Sequence, residues 1–217
     1  MRLTRHFGGR EMQSVVLYDC EFLTAPGAPQ RFWCGPDDPD PLTIQIGAVR
    51  LSLTPPFDIS PPAGWYVLPL DRDGSRVPLH PLVTKLTGIS EDDLDRQGVP
   101  IDVALGRLDV FADGAPLLAW GKDELLSLAA SLFVRDIASP IPAGRFRNAV
   151  PLLVTAGEAA ATVEGLRSHT LCAHFDLPEA GRAHDARGDA LAVASVLRHL
   201  LASGRLTPLD ITTLCRA

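Results

Sequence analysis

Asp19 and Glu21 stand one residue apart, directly after the apolar β-forming run Val15-Val16-Leu17-Tyr18. Side chains alternate across a strand, so both carboxylates share one face and Cys20 takes the other. Two carboxylates at the end of a buried strand repel each other and are costly to desolvate. A divalent cation relieves both costs, and oxygen ligands of this kind suit Mg²⁺ or Mn²⁺. A solvated turn after the strand is the plain alternative, because acid-x-acid is a common triplet.

A second cluster is His184-Asp185-Ala186-Arg187-Gly188-Asp189. In the helix that follows, Asp189 shares a stripe with Val193, Leu197 and Leu200, the face that meets the core. The positive end of the helix stabilises an acid in the first turn by about 0.3–1 kcal/mol. Metal ligation would account for more of its position. His184 falls in the preceding loop, where an imidazole titrates near neutral pH; a capping Asp185 with an exposed His184 is the bland reading. A third segment, Trp120-Gly121-Lys122-Asp123-Glu124, places two adjacent acids at a strand-to-helix transition, where acids are commonplace.

The elements that must position these residues are legible in outline. Val15–Tyr18 reads as a strand buried on both faces, Leu42–Leu53 as a second strand and Trp65–Leu70 as a third. Helices are expected over Pro81–Leu86, from Ser90 with that serine as N-cap, over Ile101–Phe111 and over Lys122–Phe133. Ala115–Trp120 reads as a strand between the last two. Further helices are expected over Gly157–Leu166, His169–Phe175 and Ala186–Leu201, the last closed by Gly204. Strands first, strand–helix alternation in the middle and helices last imply an α/β layered fold.

At 217 residues the expected organisation is a tail over residues 1–14 and one domain over 15–217. No apolar run approaches the length of a membrane span, and no apolar leader precedes the first strand. Cys20, Cys34, Cys172 and Cys215 lack metal-clip spacing, so free thiols and a cytoplasmic setting are expected. The net charge of −6 argues against a protein that tracks long duplex DNA. Basic residues local to a site, or a short substrate end, remain compatible with it. The Pro-rich stretch from Pro26 to Pro41 has no functional reading in the sequence.

The order of these pieces resembles the DEDDh exonuclease superfamily, the group of ribonuclease T and the proofreading subunit of bacterial DNA polymerase III. Tyr18-Asp19-Cys20-Glu21-Phe22 is similar to its first motif, the Trp120–Glu124 segment occupies the place of its second, and His184-x4-Asp189 is similar to its third. Leu42–Val49 and Val83–Ile89 resemble its second strand and the short helix and turn beside the substrate 3′ end. The resemblance implies a ribonuclease H-like three-layer fold with a central mixed β-sheet flanked by helices. It implies a 3′→5′ exonuclease that releases nucleoside 5′-monophosphates, with two Mg²⁺ or Mn²⁺ ions held by Asp19, Glu21, Asp189 and a second-motif acid. That acid is Asp123 or Glu124, and Asp123 is favoured for its shorter side chain. By the same resemblance His184 is the general base, and Phe22, Leu23, Thr24, Leu86 and Thr87 contact the terminal nucleotide. Lys85, Lys122, Arg145, Arg147 and Arg187 are candidate phosphate contacts. The implied partners are 3′ ends of single-stranded DNA or RNA, or short oligonucleotides, with no membrane, and a homodimer is compatible with the family. Two alternatives stay open: an inactive nucleic-acid-binding module on the same fold, and a phosphodiesterase of short oligonucleotides or dinucleotides.

Overall fold

The structure, a computed structural model, describes residues 12–216. The tail expected over 1–14 lies outside them up to residue 11, and Ser14 already belongs to the first strand. That strand, β1 (Ser14–Phe22), is central because its run from Val15 to Tyr18 is apolar on both sides and at most 2% exposed. It is flanked by β2 (Thr43–Ser52), and the sheet is completed by β3 (Ala63–Tyr66), β4 (Leu117–Ala119) and β5 (Phe146–Asn148). The spatial order is β3-β2-β1-β4-β5. β2 runs antiparallel to both β1 and β3, whereas β1, β4 and β5 run parallel, so the sheet is mixed.

Between β3 and β4 lie α1 (Pro81–Thr87), α2 (Glu91–Gln97) and α3 (Ile101–Ala112). Helix α4 (Asp123–Val134) follows β4. The second half adds α5 (Val150–Thr155), α6 (Ala160–Gly165), α7 (Ser168–His174), α8 (Ala186–Ala202) and α9 (Pro208–Arg216). Strand alternation divides the core into layers. Val15, Leu17, Val49 and Leu51 pack on one side against Val193, Leu197 and Leu200 of α8. Val16, Tyr18, Cys20, Ile46 and Ala48 pack on the other against Leu105 and Leu108 of α3 and Leu128 of α4. This is the three-layer arrangement expected, and Cys20 is core.

Ser90 caps α2 as expected, accepting from the Asp93 amide at 3.2 Å while the Asp93 carboxylate accepts from the Ser90 amide at 3.0 Å. Other boundaries differ. The third strand spans Ala63–Tyr66 rather than Trp65–Leu70, because the chain leaves the sheet after Tyr66 and Val67 pairs instead with Val99. The helix expected over Gly157–Leu166 is the single turn and a half of α6. β5, α5 and α9 add to the expected elements. Among the described residues no helix is long and apolar enough to cross a membrane.

Candidate active site

The register of β1 on β2 sets the geometry. Asp19 lies opposite Gly47, and Glu21 lies opposite Gln45. Directly opposed residues share a face, so both acids look toward α8. A Cβ at Gly47 would sit 2.2 Å from the Ala186 carbonyl carbon. Glycine there lets the first turn of α8 rest directly on the sheet. Gln45, 3% exposed, fixes that turn by accepting from the Ala186 amide at 2.9 Å. We therefore expect Gly47→Ala to cost about 1–3 kcal/mol in denaturant unfolding, the usual penalty of overpacking. It should also separate α8 from the acids; unchanged stability would show that α8 tolerates a lift from the sheet.

Docking α8 delivers the third motif. Asp185 is its N-cap and accepts from the Arg187 amide at 3.2 Å. One turn on, Asp189 is 4% exposed, in line with buried Val193, Leu197 and Leu200. His184 adopts a left-handed backbone at φ 57°, uncommon for a non-glycine residue. In that conformation its amide donates to Asp189 Oδ2 at 3.1 Å, and its ring lies 5.2 Å from that of His169. Glu21, His184 and Asp189 each offer one ligand atom, and these atoms all lie within 4.8 Å of one another.

The fourth acid corrects the sequence expectation. Glu124, not Asp123, faces the other acids. On α4, Glu124 shares a stripe with Ser127, Leu128 and Ser131, all buried against the sheet, while Asp123 is one position off that stripe and exposed. Side-chain length favoured Asp123 in the sequence; the helix phase overrides it. Glu124 is 7% exposed, and its Oε2 is buried without a hydrogen-bond partner among the described residues. Its charge is the strongest acting on Asp19.

Electrostatics follow from this crowding. Burial, then the charges of Glu124, Asp189 and Glu21, push the Asp19 carboxyl well above the usual carboxylate range. Burial and Asp189 raise Glu21 to about 8, with Arg182 opposing. Glu124 rises to about 7 and Asp189 to about 6, each chiefly through burial. His169 and the His184 amide restrain the rise of Asp189. His184 is lowered, first by burial and then by His169 and Arg182, so its imidazole stays neutral. Four buried carboxylates with raised pKa values and an orphaned oxygen suit a bound divalent cation.

The expected substrate contacts divide. Phe22 is half-buried at the register shift that ends the β1–β2 ladder, with its ring 5.8 Å from Trp33. Leu23 is 1% exposed and packs with Leu42, Ile44 and Val83, so it is core rather than a contact surface. Thr24 Oγ1 is buried without a partner among the described residues. Leu86 is 37% exposed at the end of α1. Thr87 is buried, and its hydroxyl donates to Val83 O and accepts from the Ile89 amide, so the turn consumes it. The Pro26–Pro41 segment is ordered: Arg31 pairs with Asp38 and donates to Pro26 O, and Trp33 donates to Leu23 O at 3.3 Å.

Among the candidate phosphate contacts, Arg145 holds Asp109 and Ala115 O, and Arg147 holds Cys215 O, so both brace the fold. Arg187 is paired with Asp185, while Lys85 and Lys122 are exposed. Arg182, which the motifs do not include, reaches Leu86 O at 3.4 Å and acts on Glu21. No pattern around Arg182 marks it in the sequence. Glu124 was one of the two acids the second segment offered, and the phase of α4 on the sheet selects it.

No protein-family model matches the sequence, and no curated protein is significantly similar to it. Solved structures do match. The nuclease domain of 3′hExo, described as a DEDDh family member bound to rAMP, superposes with TM-score 0.70 at 17% identity over 89% of this chain and 94% of that one. Cell-death related nuclease 4 gives 0.67 at 19% identity over 89% of this chain, which spans 65% of that one. A zinc-bound complex of E. coli exonuclease I with single-stranded DNA gives 0.61 at 16% identity, over 92% of this chain and 42% of that one. Sheet order, layers and these superpositions agree: the chain has the ribonuclease H-like fold of the DEDDh exonucleases.

Proposed function

We propose that the protein is a metal-dependent 3′→5′ exonuclease that hydrolyses the terminal phosphodiester of a nucleic-acid strand and releases nucleoside 5′-monophosphates. The observation that carries this reading is the convergence of Asp19, Glu21, Glu124 and Asp189, four buried acids from β1, α4 and α8, beside one neutral histidine. A protein that only bound nucleic acid would gain nothing from such mutually repelling groups.

These four carboxylates would hold the divalent ions, with Asp19 central because Glu124, Glu21 and Asp189 all act on it. Bound Mg²⁺ or Mn²⁺ supplies positive charge that stabilises the developing charge on the phosphoryl oxygens and lowers the pKa of water. His184 accepts the proton of the attacking water, a role that its lowered pKa favours by keeping the ring unprotonated at neutral pH. The His184 amide, by donating to Asp189 Oδ2, ties the loop carrying the base to the acid below it. Phe22, next to Glu21 in sequence, and Leu86, whose carbonyl Arg182 reaches, offer apolar surface for the terminal base.

The test is a 3′-labelled single-stranded oligonucleotide incubated with Mg²⁺ or Mn²⁺, comparing the native protein with Asp19→Ala. Stepwise, metal-dependent loss of 3′ nucleotides by the native protein alone is the expected result. Cleavage of dinucleotides with no attack on longer strands would support the second reading, a phosphodiesterase of short oligonucleotides, which the net charge of −6 favours. No metal-dependent cleavage of DNA, RNA or dinucleotides would overturn both.

A further inference from the structure

Beside the carboxylates, the sheet edge carries a hollow of about 230 Å³ lined by Gln45, Trp65, Tyr66, Gln97, Arg107 and Arg187. In a chain with 26 acidic and 20 basic side chains, this lining contains no carboxylate. It is rich in donors instead: two guanidinium groups, two carboxamides and a phenol. Arg145 takes Asp109 and Arg187 takes Asp185, which leaves Arg107, exposed on α3, with no hydrogen-bond or ion-pair partner among the described residues.

The strand register puts the Gln45 and Tyr66 wall of the hollow on the acids' face, whereas Trp65 and Arg107 reach the sheet edge from the opposite face, where α3 packs. Gln45 lies opposite Glu21, and Tyr66 lies opposite Gln45. Two strand spacings, roughly 10 Å, therefore separate Glu21 from the Tyr66 wall. Arg187 marks the same boundary from the other side, because its aliphatic stem covers Gly64 at the first turn of α8. A strand whose 3′ end reached the acids could lay an upstream phosphate here. Guanidinium groups suit phosphate because their planar fork donates two parallel hydrogen bonds.

We propose that this hollow binds a backbone phosphate of the substrate strand upstream of the cleaved bond, with Arg107 as its principal cation. The inference rests on the exonuclease reading and extends it. It gives an acidic protein a local positive site for a polyanion. The contact is to phosphate and carries no base preference.

The test measures binding of a single-stranded oligonucleotide across a salt series, using Asp19→Asn protein so that the strand survives. Adding Arg107→Ala should weaken binding about tenfold, as expected for losing a charged hydrogen bond. It should also make the slope of log K against log salt shallower by about 0.7, the share of one phosphate on a single strand. Arg107→Lys should recover the slope but only part of the affinity, and Arg198→Ala, exposed on α8, should change neither. In otherwise native protein, Arg107→Ala should raise KM and leave kcat unaltered. An unchanged slope and KM in Arg107→Ala would overturn the hollow while leaving the nuclease reading intact. Arg107-dependent binding by a native protein that never shortens the strand would keep the hollow and remove the catalysis. A native protein that neither binds nor shortens strands would remove both.

Discussion

Glu124→Gln should reduce metal-dependent exonuclease activity by about 10³-fold, whereas Asp123→Asn should leave it within a few-fold of native, by analogy with the loss of one preorganised electrostatic group. The two residues are adjacent, similar in charge and in the same helical turn, so the contrast isolates direction. Glu124 is buried toward Asp19, and Asp123 is exposed. Glutamine keeps the length and volume of the side chain and removes only its charge. Steady-state rates on a labelled oligonucleotide, with circular dichroism to check folding, decide the matter. Equal losses in both variants would place a second acid in the site and undo the helix-phase argument. A loss only in Asp123→Asn would reverse the assignment.

Stripped of divalent ions, the protein should be less stable at pH 8 than at pH 5, and Mg²⁺ or Mn²⁺ should reverse that trend. The sign follows from the raised carboxylates. A group whose folded pKa exceeds its unfolded value contributes stability that is complete below the unfolded pKa and lost as pH rises through the folded one. Glu21 at about 8, Glu124 at about 7 and Asp189 at about 6 set a window from about pH 4, the ordinary carboxylate value, to about pH 8. A tenfold difference in proton affinity between folded and unfolded chains is worth about 1.4 kcal/mol, and because the acids interact their combined effect is less than the sum. A loss of several kcal/mol would lower Tm by roughly 10 °C for a chain of this size. Thermal melts in EDTA and in metal at several pH values read it directly. Glu21→Gln should flatten the EDTA curve, and a native curve that is flat and indifferent to metal would sink the idea.

What the sequence disclosed depended on whether a residue's role was local. Strand alternation alone put Asp19 and Glu21 on one face and Cys20 in the core. Helical spacing alone put Asp189 on the face of Val193 and Leu197. Glu124 needed the phase of α4 relative to the sheet; its alignment with Ser127 and Ser131 hid that phase, because serines do not look like a core stripe. Leu23 and Thr87 read as contacts from their place in motifs, yet tertiary packing and a local turn had already claimed them. The hollow at Arg107 was illegible, since β2, β3, α2, α3 and α8 each supply part of its wall. The Pro-rich stretch after Thr24 gave no pattern, although in the folded chain its Trp33 stands beside Phe22.

The close approach at Gly47 also bears on when the acidic group can be completed during synthesis. It is made by Ala186, 139 positions later, and that contact, with the Gln45 bond to the Ala186 amide, brings Asp189 and His184 to Asp19 and Glu21. A chain ended between α4 and His184 contains Asp19, Glu21 and Glu124 but lacks His184 and Asp189. The group is not complete until the segment around Ala186 has left the ribosome and settled on the sheet. Under the exonuclease reading such a fragment has crowded acids and no base, so activity waits for α8.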